Sequence, residues 1–418
     1  MRVLTVLPDL PLPADTGLHL RMLGNLDVVR TLGAESHVLC FSTEERRDNL
    51  VLFPDVALLC DSVTHAGPRK PQASFRKSEL ALHKISYGLK GLLKRPSRSY
   101  PFSMRYDAVD GQQKVVDEVN RLEAHVVILP SFLLHWAPAV RKTGAEVIAD
   151  SIDILTDLTA RLVSTTTWAN PGERISLQSN YWASRSQETL FLAQCAEVWV
   201  TSSSEAKRAA QISPGTRTVV IPNTVPDPGI SLKAEPDVDR IGFIGTYTSE
   251  PNLLAARRLA YRVLPLVRAR RPDASLALAG VGMSHEEAAQ LGALPGVRVL
   301  GRVESSTDFM LDCRLLALPV EVRGGVPLKL VEALALHRSV VASSEIVEGL
   351  PLRDGLDVLI GRSDEGLAAA IVSLLDDDKL REQLADNGRR SYDENFSRTA
   401  LIRNASRESI LATEVSTT

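Results

Sequence analysis

Arg323-Gly-Gly-Val-Pro-Leu-Lys-Leu-Val-Glu-Ala-Leu-Ala335 joins a glycine loop to the start of a helix. Pro327 suits the first helical position, where its missing N–H costs nothing. Apolar residues then recur at helical spacing, namely Leu328, Val331, Leu334 and Ala335. The next stretch, His337-Arg-Ser-Val-Val-Ala-Ser343, has the pattern of a buried strand. The segment therefore predicts the loop, helix and strand of an α/β protein.

Lys329 and Glu332 lie three residues apart near the start of this predicted helix. A glycine loop that feeds a helix N-terminus presents free backbone N–H groups to an anion. A lysine beside it can hold a diphosphate, and a glutamate one turn later can accept hydrogen bonds from two sugar hydroxyls. The pattern is typical of a pocket for a nucleotide-diphosphate sugar. The alternative is a solvated surface pair, because Lys and Glu at this spacing often interact on an exposed helix face.

Size and composition narrow the classes of protein. The chain has 418 residues, which favours two domains, and its net charge of −3 argues against nucleic acid as a partner. No apolar run approaches the roughly 18–20 residues of a membrane span. The N-terminus reads as a strand rather than a secretion signal. The four cysteines show no CxxC spacing, so we expect free thiols and a cytoplasmic protein: Cys40, Cys60, Cys195 and Cys313.

Short β-rich runs alternate with helical patterns along the whole chain. This rhythm predicts α/β architecture with parallel sheets covered by helices. The predicted strands are Arg2–Leu7, Ser36–Phe41, His125–Leu129, Glu146–Ala149, Glu197–Thr201, Thr218–Ile221, the run from Ile241, Ser275–Ala279, Val297–Leu300, Leu315–Pro319, Val340–Ser343 and Val358–Ile360. The clearest predicted helices are Leu18–Leu32, Asp364–Leu375 and Lys379–Asn395.

The rhythm breaks once, at the turn-rich stretch that begins with Pro222-Asn-Thr-Val-Pro-Asp-Pro-Gly229. We therefore predict an N-terminal Rossmann-like domain over 1–222 and a linker over 223–240. A C-terminal Rossmann-like domain follows over 241–395, and a terminal helix and tail over 396–418 crosses back to the first domain. The space between two such halves is the expected binding site.

Several segments resemble retaining glycosyltransferases of the GT-B fold, specifically glycosyltransferase family four (glycosyl transferases group 1). Phe243–Asn252 resembles the family's opening strand and loop, and the Gly324–Ala335 window resembles its donor-binding helix. Further resemblances lie at Leu276–Gly280, Gly296–Val303, Ser344–Leu350, Pro11–Arg21 and Ile221–Asn223. The resemblance covers nearly all of 241–395 and is weaker in the first half.

The resemblance implies two Rossmann-like domains that face each other across a cleft. It implies a hexosyltransferase that moves a sugar from a nucleotide-diphosphate sugar, a UDP-sugar above all, to a hydroxyl acceptor. Retention of configuration is implied, with attack on the face that the leaving group vacates and a phosphate oxygen taking the acceptor proton. Neither a metal nor a cofactor is implied. Ala, Arg and Leu richness suggests a bacterium, and thus cell-envelope, polysaccharide or natural-product glycosylation.

The resemblance also implies donor-binding residues. Lys329 and Glu332 would contact the diphosphate and the ribose and support the chemical step. The full donor-binding set is Gly245, Asn252, Arg302, Arg323, Gly325, Lys329 and Glu332. Gly324 stands where many members have a second glutamate, and Glu321 lies three residues earlier. Many members carry an arginine and a lysine in the loop that here runs from Thr246 to Asn252, so Lys329 with Arg323 would supply the charge.

Five residues of the first half are candidates for the acceptor side, and four of them have an alternative. Gly17 would either let a ligand approach the backbone closely or be an ordinary turn glycine. Arg21, with Asp15 nearby, would either bind an anion or be an exposed helix arginine. Asp153 would orient an acceptor hydroxyl or cap a helix. His135 would be catalytic or a satisfied, partly buried histidine.

Residues 69–105 are strongly basic and hold a possible apolar stripe. They predict either an amphipathic helix that touches anionic lipid or a phosphorylated acceptor, or a solvated face of the first domain. For the whole protein, a nucleotide-sugar epimerase and a non-catalytic nucleotide-sugar binding module remain alternatives. A nicotinamide dehydrogenase is disfavoured, because the first strand leads into Pro8-Asp-Leu-Pro-Leu-Pro13 instead of GxGxxG.

Overall fold

Two parallel sheets, each with its own helices, make up this fold in the computed structural model. The chain forms two units, Met1–Asn223 with Leu401–Thr418, and Thr224–Ala400. The structure describes residues 1–9, 11, 17–42, 58–68, 110–151, 153–165, 171–229, 236, 238–321 and 326–413.

The first unit holds a seven-stranded sheet in the order β3-β2-β1-β4-β5-β6-β7, with parallel pairing throughout. The strands are β1 Arg2–Leu7, β2 Glu35–Ser42, β3 Ser62–Pro68, β4 Val126–Pro130, β5 Glu146–Asp150, β6 Glu197–Val200 and β7 Arg217–Val220. The strand order reverses between β1 and β4. Such a reversal separates the loops that follow the two strands and opens a crevice at their carboxyl ends.

Helices cover both faces of this sheet. They are α1 Gly17–Thr31, α2 Gly111–Leu122, α3 Ala137–Arg141, α4 Leu155–Thr165, α5 Pro171–Leu192 and α6 Ser203–Ile212, with a 3₁₀ turn at Ser131–Trp136. The central strands are buried on both sides, as parallel strands between helices must be. The two larger apolar clusters of this unit lie around Leu4 and Val127 and around Val3 and Ile148.

The C-terminal segment completes the second of these clusters. Helices α15 Arg398–Glu408 and α16 Ile410–Thr413 bring Leu401, Ala405 and Leu411 into the core beside Trp199. The fully buried Glu197 carboxylate accepts hydrogen bonds from Ser409 Oγ at 2.7 Å and from the Ile410 N–H at 2.8 Å. Burial raises the pKa of Glu197, and these hydrogen bonds oppose the rise.

The second unit holds a six-stranded parallel sheet in the order β10-β9-β8-β11-β12-β13. Its strands are β8 Arg240–Ile244, β9 Ser275–Ala279, β10 Val297–Gly301, β11 Leu315–Leu318, β12 Val340–Ala342 and β13 Leu359–Ile360. Its helices are α7 Glu250–Arg258, α8 Leu264–Arg268, α9 His285–Gly292, α10 Ser306–Leu311, α11 Leu328–Ala335, α12 Ser344–Val347, α13 Asp364–Asp376 and α14 Asp378–Asn395. Leu259–Val263 form a π turn between α7 and α8.

The predicted α/β class with two Rossmann-like halves is confirmed, because both sheets have the doubly wound order. Every predicted strand is present, with ends shifted by one residue at most. Strand β3 was not predicted, because Ser62-Val-Thr-His-Ala-Gly-Pro68 has no continuous apolar run. It is an edge strand, and edge strands commonly carry polar residues, Gly and Pro.

Among the residues that the structure describes, none of the helices combines the length and the apolar composition that a membrane span requires. The basic stretch 69–105, which we predicted as a possible membrane contact, lies outside the described residues.

Candidate functional site

The candidate donor site lies at the carboxyl ends of β8 and β11, where the strand order of the second sheet reverses. Ligands of doubly wound sheets bind at this kind of position, because the loops on either side diverge. Gly245 directly follows β8, and α11 follows β11. The structure therefore brings the predicted Gly245, Asn252 and Lys329 together from two segments about eighty residues apart in sequence.

Lys329 reaches from α11 to the loop that follows β8. Its Nζ donates a hydrogen bond to Asn252 Oδ1 at 2.8 Å and lies 4.5 Å from the centre of the Phe243 ring. Asn252 is itself fixed, because its Nδ2 donates to the Thr246 carbonyl at 2.9 Å. The ammonium group is thus held against the Gly245 loop, in the segment where the family resemblance places a lysine that this chain lacks.

Burial dominates the electrostatics of Lys329. It lowers the pKa of Lys329 from 10.5 to about 7, because a charged ammonium loses hydration in this position. No carboxylate among the described residues pairs with Lys329. A bound anion would supply the missing negative charge and restore the protonated form.

Glu332 lies one turn further along α11 and is partly buried. Its Oε1 accepts a hydrogen bond from Ser306 Oγ at the start of α10, and burial raises the pKa of Glu332. Lys329 bonds to Asn252 and Glu332 to Ser306, so the alternative of a solvated Lys329–Glu332 surface pair is wrong.

Two glycine loops pack backbone to backbone beside Lys329. A Cβ atom on Gly245 would lie 3.0 Å from both Lys329 Nζ and Asn252 Cγ. Gly280, after β9, has a φ of +129°, and a Cβ atom there would lie 1.8 Å from the Gly245 carbonyl oxygen. Both the close approach and the positive φ require glycine at 280. The sequence analysis assigned no role to Gly280 beyond its place in the resemblance.

We expect Gly280→Ala to lower the free energy of unfolding by about 1–3 kcal/mol, because the new methyl group forces the Gly245 loop to move. Gly292→Ala is the matched control, since a Cβ atom there meets nothing within 4 Å. It should be neutral or stabilise the protein by up to about 1 kcal/mol. Urea unfolding of the two variants measures the difference, and equal stabilities would contradict the close loop contact.

The beginning of α11 corrects one detail. The helix starts at Leu328, and Pro327 precedes it in an extended conformation with φ −72° and ψ 108°, so Pro327 is not the first helical residue. Arg323 and Gly325 lie outside the described residues. Arg302 is exposed just after β10. Glu321 accepts from Arg258 Nη1 at 3.1 Å.

The described acceptor-side candidates of the first unit lie on α1, in the 3₁₀ turn and just before α4. Asp15 lies outside the described residues, and Gly17 begins α1. Arg21 is only 2% exposed and donates to Asp150 Oδ1 from Nε at 2.9 Å and from Nη2 at 2.7 Å. Asn25 Nδ2 donates to the other Asp150 oxygen at 2.7 Å. The alternative of an exposed helix arginine at position 21 is therefore wrong.

Arg21 also donates to the Ile221 carbonyl oxygen. The network therefore ties α1, the end of β5 and the segment after β7 together. The sequence analysis placed Arg21 in a helix but predicted no partner for it on another element. The available signal for this ion pair was that Arg21 and Asp150 each directly follow apolar residues.

His135 and Asp153 lie in separate elements of the first unit. His135 is partly buried in the 3₁₀ turn, with its ring centre 5.5 Å from that of Trp136. Asp153 precedes α4, but Glu188 accepts from the Leu155 N–H at 2.7 Å and from the Thr156 N–H at 3.1 Å. Glu188 thus caps the start of α4 from α5, a contact that the sequence analysis did not predict. Burial raises the pKa of Glu188 to about 7.

Among the described residues, no three His, Cys, Asp or Glu side chains come together as a metal site would require. The predicted roles of all the site residues stay predictions.

Sequence comparison identifies residues 238–377 as matching the family model of glycosyl transferases group 1. Phosphatidyl-myo-inositol mannosyltransferase of Mycolicibacterium smegmatis is 35% identical over 144 residues, which is 33% of this chain and 36% of that protein. The match thus spans about a third of the curated relative's length.

Solved structures share the fold over the whole chain. Anabaena Alr3699/HepE, in complex with UDP, has a TM-score of 0.64 at 15% identity and covers 97% of this chain and 99% of its own. Sucrose-phosphate synthase from Thermosynechococcus elongatus has a TM-score of 0.66 at 14% identity. The match covers 97% of this chain and 98% of the synthase chain. The chain therefore has the two-domain fold of GT-B glycosyltransferases, and its residues 238–377 form a domain similar to those of the glycosyl transferases group 1.

Proposed function

We propose that this protein is a retaining, metal-independent glycosyltransferase that uses a UDP-sugar. The bond between the sugar C1 and the diphosphate oxygen breaks, and a bond from C1 to the acceptor hydroxyl oxygen forms on the same face. The acceptor proton passes to an oxygen of the departing diphosphate. The leaving group gains negative charge in this step, and a preorganised cation with helix N–H groups stabilises such charge.

The observation that carries the proposal is the buried ammonium of Lys329. It sits at the switch point of the sheet beside a glycine backbone and is paired with the amide of Asn252 instead of a carboxylate. A structural lysine would gain little in this position, because burial disfavours its charged form. A bound diphosphate would pair with this ammonium group, and Glu332, one turn further along α11, would accept hydrogen bonds from the ribose hydroxyls.

A structure with the same fold supports the donor class, and the curated relative supports sugar transfer. Alr3699/HepE was solved with UDP and also with UDP-glucose, and the mycobacterial relative is a mannosyltransferase. We propose that the protein acts in a bacterial cytoplasm. Its acceptor carries a hydroxyl group and is a glycan, a lipid-linked molecule or a small molecule. Peripheral membrane contact through 69–105 is part of the same proposal.

Thermal unfolding with a panel of nucleotides tests the donor site before any acceptor is known. We expect UDP and at least one UDP-sugar to raise the melting temperature, because a ligand of the native state stabilises it by mass action. NADH and ATP should not. If no nucleotide diphosphate shifts the melting temperature, the donor assignment is wrong.

Transfer to an acceptor panel then separates the remaining alternatives. The proposal requires a new glycoside and free UDP. Epimerised free donor without acceptor would identify an epimerase, and tight donor binding without any turnover would identify a binding module.

Donor affinity should depend on pH through Lys329. The pKa of this lysine in the free protein is about 7, and only its protonated form pairs with a diphosphate. Affinity should therefore be highest below pH 7 and fall as the pH rises, by about tenfold at pH 8, because the competent fraction falls in proportion. Calorimetric titration of UDP from pH 6 to 8.5 measures this. The Lys329→Met variant is the control, and its weaker binding should lose the steep fall above pH 7.

A further inference from the structure

A cavity lies in the first unit, between helices α4, α5 and α6. It has a volume of about 530 Å³, within the range of about 300–1,000 Å³ that is usual for small-molecule sites. Its described walls combine aromatic, aliphatic and hydrogen-bonding side chains. None of the predicted acceptor-side residues lines it.

Two aromatic rings form one wall. Tyr181 and Trp182 meet edge to face, with ring centres 5.1 Å apart and an angle of 68° between the ring planes. Both side chains are partly exposed on α5. A wall of this kind offers a flat apolar surface to the C–H face of a pyranose ring, while the Tyr181 hydroxyl remains a polar partner.

The charge of the cavity is positive. Asp157 on α4 is neutralised by Arg161 Nε at 2.9 Å and by Arg208 Nη1 at 3.1 Å. Arg185, one turn after Tyr181, donates to the Tyr181 hydroxyl at 2.9 Å. In the described part of the chain no carboxylate pairs with Arg185. Its guanidinium therefore remains available for a carboxylate or phosphate, which arginine binds in a bidentate manner.

We infer that this cavity binds an acidic sugar ring, with one ring face on Trp182 and its acidic group on Arg185. An aromatic acid would use the same two residues, but it offers no partner to the polar groups of Asp157 and Gln211, which also line the cavity. Sugar hydroxyls do offer partners to them. The inference rests on the proposed function only for the ligand class, a sugar.

The cavity has room for more than one ring, since its volume is several times that of a single pyranose. A glycan with acidic units would thus be held by residues of the first unit. This favours a saccharide acceptor over a small natural product.

The test is a titration of the protein with methyl β-glucuronide in the absence of nucleotide. Saturation-transfer NMR detects the binding. We expect saturable binding, with methyl β-glucoside about tenfold weaker because it lacks the charged partner of Arg185. Arg185→Gln should weaken glucuronide binding by about the same factor and bring it to the level of the glucoside. Arg141→Gln is the matched control, because Arg141 is exposed on the same unit and does not line the cavity.

Trp182→Leu should abolish the binding of both sugars, and thermal unfolding checks that it folds. If it does not fold, the exposed Arg185 variant carries the test alone. No saturable binding, or binding unchanged in Arg185→Gln, overturns the inference. Benzoate that binds as tightly as glucuronide overturns the assignment to a sugar. The outcome is separate from the donor site, because Lys329→Met should leave glucuronide binding unchanged.

Discussion

Lys329→Met is expected to reduce kcat/KM for sugar transfer by about 10²–10³-fold, the loss that follows removal of one preorganised stabilising group in an active site. Methionine keeps most of the unbranched apolar stem of the side chain but lacks the ammonium group, and with it the contact of Nζ with the Phe243 ring. Initial rates with saturating acceptor and varied donor measure the effect. KM for the donor should rise as well, because the ammonium also binds the ground-state diphosphate.

Lys329→Met should lower activity but should not lower the stability of the fold at pH 7. The folded-state pKa of Lys329 lies near 7, well below 10.5, so the folded protein binds fewer protons than the unfolded chain between these values. The stability of the wild type should therefore rise with pH through this window, and Lys329→Met should remove that rise. The variant should be at least as stable as the wild type at pH 7. Lys379→Met, at an exposed position of α14, is the control. Full activity in Lys329→Met, or the same loss in Lys379→Met, would refute the donor site.

Asp150→Ala should destabilise the protein by about 3–5 kcal/mol, because it leaves the Arg21 guanidinium buried without its charge partner. Asn25 loses a hydrogen-bond acceptor at the same time. Urea unfolding followed by circular dichroism measures the cost.

A double variant isolates the cause. Arg21→Met combined with Asp150→Ala should recover part of the lost stability, because the uncompensated charge is gone. Asp117→Ala, at an exposed position of α2, should change stability by less than about 0.5 kcal/mol. If Asp150→Ala costs no more than Asp117→Ala, the pair contributes nothing to folding.

The sequence predicted most of this fold because the strands are buried on both faces. A run such as Leu315–Leu318 has to be continuously apolar, and that pattern is visible without a partner. Strand β3 shows the limit, since an edge strand with His65 and Gly67 needs only its pairing with β2. The capping of α4 by Glu188 was hidden for a similar reason, because its partner lies 32 and 33 residues away.

In the candidate site, likewise, the sequence predicted the local geometry but not the distant contacts. Spacing along one helix predicted that Lys329 and Glu332 share a face, since this geometry is local. It gave no information on which groups they meet, because Asn252 and Ser306 come from other helices and loops. The buried pair of Arg21 and Asp150 likewise spans 129 positions of the chain. Contacts of that separation follow from the packing of the whole sheet, which the residues of either segment do not encode alone.

The placement of Leu401, Ala405 and Leu411 in the first unit determines the order in which the two units can complete their cores during translation. Translation delivers these three residues after every strand of both sheets has left the ribosome. The first unit cannot complete its core before the second unit has been made, and Val3 and Trp199 stay uncovered on one side until then. The half that is made first is therefore the half that matures last.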